Sequence, residues 1–378
     1  MNFRDGDEEA AFRLALRSWL ADNRPEPPYP SNHGKDGNAF ARAWHRTMYS
    51  GGWLGLSWPV EYGGRGLSPL YDAIVNEEVG ASGAPPVPSV GFLGRPILRF
   101  GTPEQCREYL PPMLRGELQW CQGFSEPGAG SDLASLTTRG VLDGDRYIVN
   151  GQKVWTSRAQ YSDWCLLLCR TRPDLPKHKG ISCLVFKMDS PGITVRPLRQ
   201  VWGTAEFNEV FFDDLEVPVA QRIGEDGDGW ILATTVLAHE RGPADIGMIS
   251  KFEVILARLE ALLAKLPEQE RTALAPRVAE AFTAVAACRR HVLKSLSLRA
   301  QGLPPGPETS VDKLLMTRAS QALGALVFET SASELVLGEN DDALFEYFHS
   351  RASSIYGGTE QIQRTIVAQR VLGMPRGG

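Results

Sequence analysis

Residues 141–155 read Val-Leu-Asp-Gly-Asp-Arg-Tyr-Ile-Val-Asn-Gly-Gln-Lys-Val-Trp. Two turn dipeptides, Asp143-Gly144 and Asn150-Gly151, stand between runs rich in β-branched and aromatic residues. Such dipeptides supply the positive φ that a tight hairpin turn requires. The stretch therefore predicts two hairpins, hence antiparallel strands. Further short β-type runs follow at 164–170, 181–188, 192–198, 206–212 and 215–217. Together they predict an antiparallel sheet domain over 119–222.

Both flanks read differently. Glu8 to Leu20 sets Ala11, Phe12, Ala15, Leu16 and Trp19 at helical spacing. Residues 38–49, 70–80, 96–100 and 103–115 continue that period, with Pro-rich loops at 25–30 and 85–88. After the sheet region the loop Gly224-Glu-Asp-Gly-Asp-Gly229 offers a helix start. Helix then resumes from Trp230, with breaks expected near Pro267, Pro276 and 302–307. The last helices are expected over 309–338, 341–352 and 359–372. Helices, then strands, then helices, with no alternating β-α units, predict an α+β chain and disfavour a doubly wound sheet. The expected domains are N-terminal helical (1–118), middle antiparallel β (119–222) and C-terminal helical bundle (223–378).

Bulk properties narrow the class. A chain of 378 residues exceeds what one core serves well. It is 43% hydrophobic and 22% charged, with a formal net charge of −5. No run of like charge suggests a nucleic-acid surface. Six cysteines occur without Cys-x-x-Cys spacing, and Cys165 and Cys169 sit in an apolar run, where buried free thiols are expected. No window reaches the length of a membrane span, and a cytoplasmic location and no metal site are expected.

Residues 120–132 read Trp-Cys-Gln-Gly-Phe-Ser-Glu-Pro-Gly-Ala-Gly-Ser-Asp, and 354–364 read Ser-Ile-Tyr-Gly-Gly-Thr-Glu-Gln-Ile-Gln-Arg. These stretches resemble the two signatures of the acyl-CoA dehydrogenase family. Trp58 to Gly64, Phe100 to Gln105, Asn150 to Trp155 and Phe207 to Phe212 extend the resemblance in the family's order. It implies FAD as cofactor, an acyl-CoA substrate and an electron-transfer flavoprotein as acceptor. It also implies an oligomer, either a homo-oligomer (dimer or tetramer) or a hetero-oligomer with a homologous chain. Carried over by motif, Gln122, Phe124 (through its backbone), Ser125, Trp155 and Ser157 line the flavin, and Thr359 and Gln361 contact FAD. Ser131 lies near the boundary of flavin and acyl-CoA.

Two departures stand out. Many members carry Tyr-Glu-Gly-Thr, with the Glu as base; here Tyr356 is followed by Gly357, Gly358 and Thr359. Gly357 retains only its N–H, which the resemblance implies donates to the thioester oxygen. A few members carry the base on a C-terminal-domain helix just before an Arg, and Glu240-Arg241 matches that position. Glu240 is thus the expected base and Arg241 a substrate contact; His239 is expected to be a packing or surface residue, and Glu360 to point away from the substrate. The Arg-x-x-Phe-Gly segment of many members is also missing. Three readings follow: an FAD-dependent dehydrogenase, a flavin oxidase, monooxygenase or lyase on the same fold, and a non-catalytic or half-site partner subunit.

Overall fold

The computed structural model describes residues 5–30, 34–88, 91–239, 242–304, 306–337 and 341–375. The helices α1 (Asp7–Asn23), α2 (Lys35–Ser50), α3 (Pro69–Ser82), α4 (Gly91–Phe100) and α5 (Pro103–Leu114) come first. The strands β1 (Trp120–Gly123), β2 (Arg139–Asp143), β3 (Arg146–Lys153), β4 (Trp164–Arg170), β5 (Ile181–Lys187), β6 (Ile193–Leu198), β7 (Phe207–Pro218) and β8 (Arg222–Ile223) follow. Then come α6 (Gly229–His239), α7 (Pro243–Leu263), α8 (Glu268–Ala300), α9 (Thr309–Thr330), α10 (Ala332–Val336), α11 (Asp341–Ala352) and α12 (Glu360–Ile366). The helix, sheet, helix order is the one the sequence pattern predicts. Two compact units result, one of Pro27–Gly66 with Pro88–Glu240, the other of Met1–Glu26, Leu67–Val87 and Arg241–Gly378.

The first unit holds the sheet, in the order β6-β7-β3-β2-β4-β5-β8, with β1 also on β4. β1 and β2 run parallel to β4, and the other ladders are antiparallel. The Asp143 turn behaves as predicted: Asp143 pairs Arg146 around Gly144, whose φ is +62°. Asn150-Gly151 does not make a turn, and β3 runs straight through it. Val149 pairs Leu215 and Gly151 pairs Phe212, so Asp213 and Asp214 together oppose Asn150 in a bulge. The Asn150 side chain holds that bulge, donating to Asp214 Oδ1 at 2.8 Å and accepting from Asp214 N–H at 2.9 Å. The runs at 206–212 and 215–217 are consequently one strand. Gly151 is needed for space, because a Cβ there would lie 2.6 Å from Thr138 Oγ1 and 2.7 Å from its Cα.

Cys165 and Cys169 are buried free thiols, as read from the sequence. α5 is fastened to the sheet at two points. Its capping box pairs Thr102 with Gln105, and Gln105 Nε2 also donates to the carbonyls of Ala220 and Arg222 at 2.8 and 2.9 Å. Tyr109 of α5 packs on Trp164, with ring centroids 5.0 Å apart, and Trp164 stacks on Trp120 at 5.3 Å.

The second unit is helical. Its core includes Ile246, Ile249, Phe252, Leu259, Val285, Val292 and Leu323, all buried. Each such side chain contributes roughly 1.5–3 kcal/mol on leaving water. α3 and α7 approach backbone to backbone where a Cβ on Gly80 would lie 2.3 Å from Gly247 O. Arg13 and Arg17 of α1 bind buried Glu78 of α3. Burial pushes the Glu78 carboxyl up, but hydrogen bonds from Arg17 and Arg13 outweigh it and hold it below the usual range.

The break expected at Pro276 is absent. α8 continues through it to Ala300, because Pro276 and Thr272, whose carbonyl loses its partner, are both exposed to water. Meanwhile Ala281, Val285, Cys288, Val292 and Ser295 keep the buried stripe in phase. The helix expected over 309–338 is divided at Ser331, and the one over 359–372 ends in a π turn at Val367–Val371.

Candidate active site

The chain leaves the sheet at Gly123 and forms a loop fixed by its own carbonyls. Phe124 is buried, and its C=O accepts from Lys153 Nζ at 2.9 Å. Ser125, half-buried, accepts through its C=O from Val154 N–H at 2.9 Å. Glu126 and Ala129 exchange two backbone hydrogen bonds of 3.0 Å, which round off the turn. Glu126 is the anchor: Oε1 accepts from Lys153 Nζ at 2.8 Å and Thr138 N–H at 2.8 Å, while Oε2 accepts from Thr137 N–H at 2.6 Å and Thr137 Oγ1 at 2.8 Å. Burial pushes this carboxyl up, but the Lys153 ammonium and the three donors of Thr137 and Thr138 outweigh it and hold it at about 2. Burial lowers the Lys153 pKa from its ordinary value, partly countered by Glu126. Ser131, at the far end of the loop, is exposed.

Lys153 carries the chain from this anchor directly into Trp155, which is both exposed and strained. Its φ is +61°, in the left-handed region that costs a side chain roughly 1–2 kcal/mol. Its indole is 60% exposed and touches Phe207 edge-on, with centroids 6.0 Å apart. Ser157 beside it is exposed, and Arg158 is again left-handed at φ +58°. The segment holds this shape because β7 grips it. Thr156 and Asn208 exchange backbone hydrogen bonds of 3.1 Å, buried Asn208 Nδ2 donates to Thr156 O at 2.9 Å, and Arg158 N–H donates to Glu206 O at 2.8 Å. Among the described residues, the buried Gln122 Oε1 and Thr156 Oγ1 have no hydrogen-bond partner.

Gln122, Phe124, Ser125, Trp155 and Ser157 are thus gathered at one end of the sheet. A broad indole face, buried acceptors without partners and a loop of fixed peptides suit a flat heteroaromatic group with a hydrogen-bonding edge.

In the helical unit, Gly357 and Gly358 have φ of +63° and +90°. Thr359 caps α12, its side chain accepting from Ile362 N–H at 3.3 Å. Gln361 is exposed on the first turn of that helix. Glu360 pairs with Arg364 at 3.4 Å. His239 Nδ1 lies 2.9 Å from Thr235 O of its own helix. Glu240 and Arg241 lie outside the described residues.

Three residues inside the quoted motifs carry more than the sequence reading gave them: Glu126, Lys153 and Gln363. For Lys153 a signal existed. It shares strand parity with Tyr147 and Val149, so a lysine faced the buried side of β3 and needed an acid.

Residues 6–117 match the acyl-CoA dehydrogenase N-terminal domain, 121–215 the middle domain and 227–372 the C-terminal domain. The acyl-CoA dehydrogenase IpdE1 of Mycobacterium tuberculosis is 39% identical over 377 residues, covering 97% of each chain. Among solved structures, the ChsE4-ChsE5 complex from Mycobacterium tuberculosis is 30% identical with a TM-score of 0.83, covering 100% of both chains. The Tcur3481-Tcur3483 steroid ACAD is 28% identical with a TM-score of 0.81, again over 100% of both. The chain belongs to the acyl-CoA dehydrogenase family. It is an oxidoreductase, and its chemistry is acyl-CoA dehydrogenation. Among the described residues, no helix is long and apolar enough to cross a membrane.

Proposed function

We propose that this chain oxidises the Cα–Cβ bond of an acyl-CoA thioester with bound FAD and passes the electrons to an electron-transfer flavoprotein. The observation that carries the cofactor reading is Trp155, kept exposed in a strained backbone next in sequence to Thr156, whose buried Oγ1 lacks a partner. Strain of this kind persists where function uses it. Gln122, the Phe124 backbone, Ser125, Trp155 and Ser157 would hold the flavin; Thr359 and Gln361 would contact FAD from α12. When bound, FAD supplies the hydride acceptor for the β-hydrogen.

The chain's own part is proton chemistry and charge. Gly357 carries no carboxylate, so Glu240 is assigned the α-proton, with Arg241 and Ser131 assigned to the substrate. The Gly357 N–H donates to the thioester oxygen, where negative charge grows as the proton leaves. Likeness to a protein named a steroid ACAD supports steroid-derived acyl-CoA thioesters as candidate substrates. The test is a panel of acyl-CoAs, aliphatic and sterol-derived, with an artificial electron acceptor, alongside flavin content on the same sample. A yellow protein that turns over one of them supports the reading. A colourless protein inert on all of them overturns it.

The protein is proposed to work as an oligomer. One observation favours a second reading, a half-site subunit beside a homologous chain: the usual base position is Gly357, and two of its relatives are named as two-component assemblies. Activity that is absent alone and restored by a co-expressed homologue supports that version.

A further inference from the structure

Two successive glycines give the 354–359 loop more backbone freedom than any other residue pair would, and a donor at Gly357 needs a fixed direction. The structure supplies the missing constraint from residues no signature assigns. Glu360 N–H donates to Ser354 O at 3.0 Å and closes the neck of the loop. Gln363, one turn into α12 and 1% exposed, turns its carboxamide back toward the loop. Its Nε2 donates to Gly357 O at 3.2 Å and to Gly358 O at 3.3 Å. Both glycine carbonyls are thus tied to one rigid amide.

The start of the loop is held from α9. Lys313 Nζ donates to Ser353 O at 2.7 Å, and Thr317 Oγ1, one turn on, donates to the same carbonyl at 3.0 Å. Lys313 Nζ also stands 4.3 Å from the centroid of the Tyr356 ring. Tyr356 is 42% exposed, so little burial fixes it and the cation contributes to its orientation.

We propose that Gln363 and Lys313 are positioning residues: Gln363 fixes the two peptides that follow Gly357, Lys313 holds the Ser353 carbonyl and the Tyr356 ring ahead of it, and between them they limit the direction of the Gly357 N–H. The proposal rests on the reading in which that N–H meets the thioester oxygen. Neither residue is assigned a contact with substrate. Gln363 replaces, by two side-chain hydrogen bonds, the order that a single glycine with a bulkier neighbour would give the loop.

The experiment uses the full-length flavoprotein with Gln363→Met, which keeps volume and removes the donor, and Lys313→Met, with Lys313→Arg as the conservative control. Amide hydrogen exchange across 354–360 and steady-state kinetics with the active acyl-CoA are read together. For Gln363→Met we expect exchange to rise and kcat to fall, each by about tenfold, the scale of a lost hydrogen bond. KM and flavin content should stay within about twofold, since donor aim acts on the transition state. Lys313→Met should follow in the same direction and Lys313→Arg should recover most of kcat. Unchanged exchange in both Met variants overturns the clamp. Faster exchange with unchanged kcat overturns its positioning role. If the wild-type chain oxidises no acyl-CoA, the functional reading fails, while exchange still decides whether Gln363 orders the loop.

Discussion

Lys153 Nζ stands 2.8 Å from Glu126 Oε1, with the two side chains 0% and 4% exposed. The pair joins β3 to the loop after β1, so the backbone that would meet the flavin and the strand leading to Trp155 share one buried charge contact. Breaking such a pair leaves an uncompensated charge in a dry interior. Glu126→Gln is expected to cost roughly 3–5 kcal/mol and to lower flavin retention, read by denaturant melts and the flavin-to-protein ratio. Full stability with full flavin would show that the pair is not the anchor.

The same carboxylate sets an acid limit. Its folded pKa, about 2, lies below the ordinary 4.5. The unfolded chain therefore binds the extra proton first as pH falls. The contribution is present in full above about 4.5 and lost on the way down to about 2, roughly 3 kcal/mol in all. Wild-type stability measured from pH 6 to pH 3 should drop more steeply than that of Glu126→Gln. Parallel curves would remove Glu126 from the acid response.

Trp155 separates stability from binding. Its ring is 60% exposed, so Trp155→Ala gives up little burial, and alanine inherits the same left-handed strain. Stability should shift by less than about 1 kcal/mol, while flavin affinity should fall by at least about tenfold, the scale of a lost aromatic contact. Ser125→Ala should weaken flavin less. Unchanged flavin affinity and spectrum in both variants would move the flavin elsewhere.

What the sequence disclosed depended on whether a signal was local. Asp143-Gly144 was legible because the turn's φ requirement is written in two residues. Asn150-Gly151 carries the same two-residue signal, yet its asparagine is used to hold Asp214 on another strand. That use lies 64 residues away and leaves no local mark. Pro276 misled for a related reason: the carbonyl of Thr272 that loses its partner faces water, which softens the break, and burial is not local information. In the site, the residues expected near the flavin sit on short motifs whose order survives in the fold. Gln363 was in plain view within a signature, but nothing short of the folded loop shows its amide reaching back to Gly357 and Gly358.

His45 gives the chain a second pH response, nearer neutrality. It is buried on α2, with Nε2 3.0 Å from Leu114 O. Gly116 presses against the ring so closely that a Cβ there would lie 2.8 Å from His45 Cγ. Burial lowers the imidazole pKa, and Arg46 and Arg42 add to it, against the Leu114 carbonyl. The unfolded chain thus protonates before the folded one. Stability is unaffected above about 6.5 and falls as pH drops through it, by at most about 1.4 kcal/mol per pH unit. His45→Gln should flatten the melting curve between pH 7 and pH 5.5. A wild-type slope retained in His45→Gln would assign the response to another group.

Glu240, the proposed base, is the residue whose replacement tests the mechanism most directly. Gly357 leaves the common base position empty, and its φ of +63° suits glycine. Glu240→Gln keeps size and a hydrogen-bonding end but cannot accept a proton. Turnover is expected to fall by about 100-fold or more, the usual scale for a lost general base, with FAD binding nearly unchanged. Gly357→Glu in the Glu240→Gln background should return part of the activity by rebuilding the common arrangement. That return is limited, because a side chain in the left-handed region costs roughly 1–2 kcal/mol. If Glu240→Gln alone turns over a true substrate at near-normal rate, the proton goes to another group. The place to look is then a partner chain, tested by whether activity tracks the amount of a co-purified homologue.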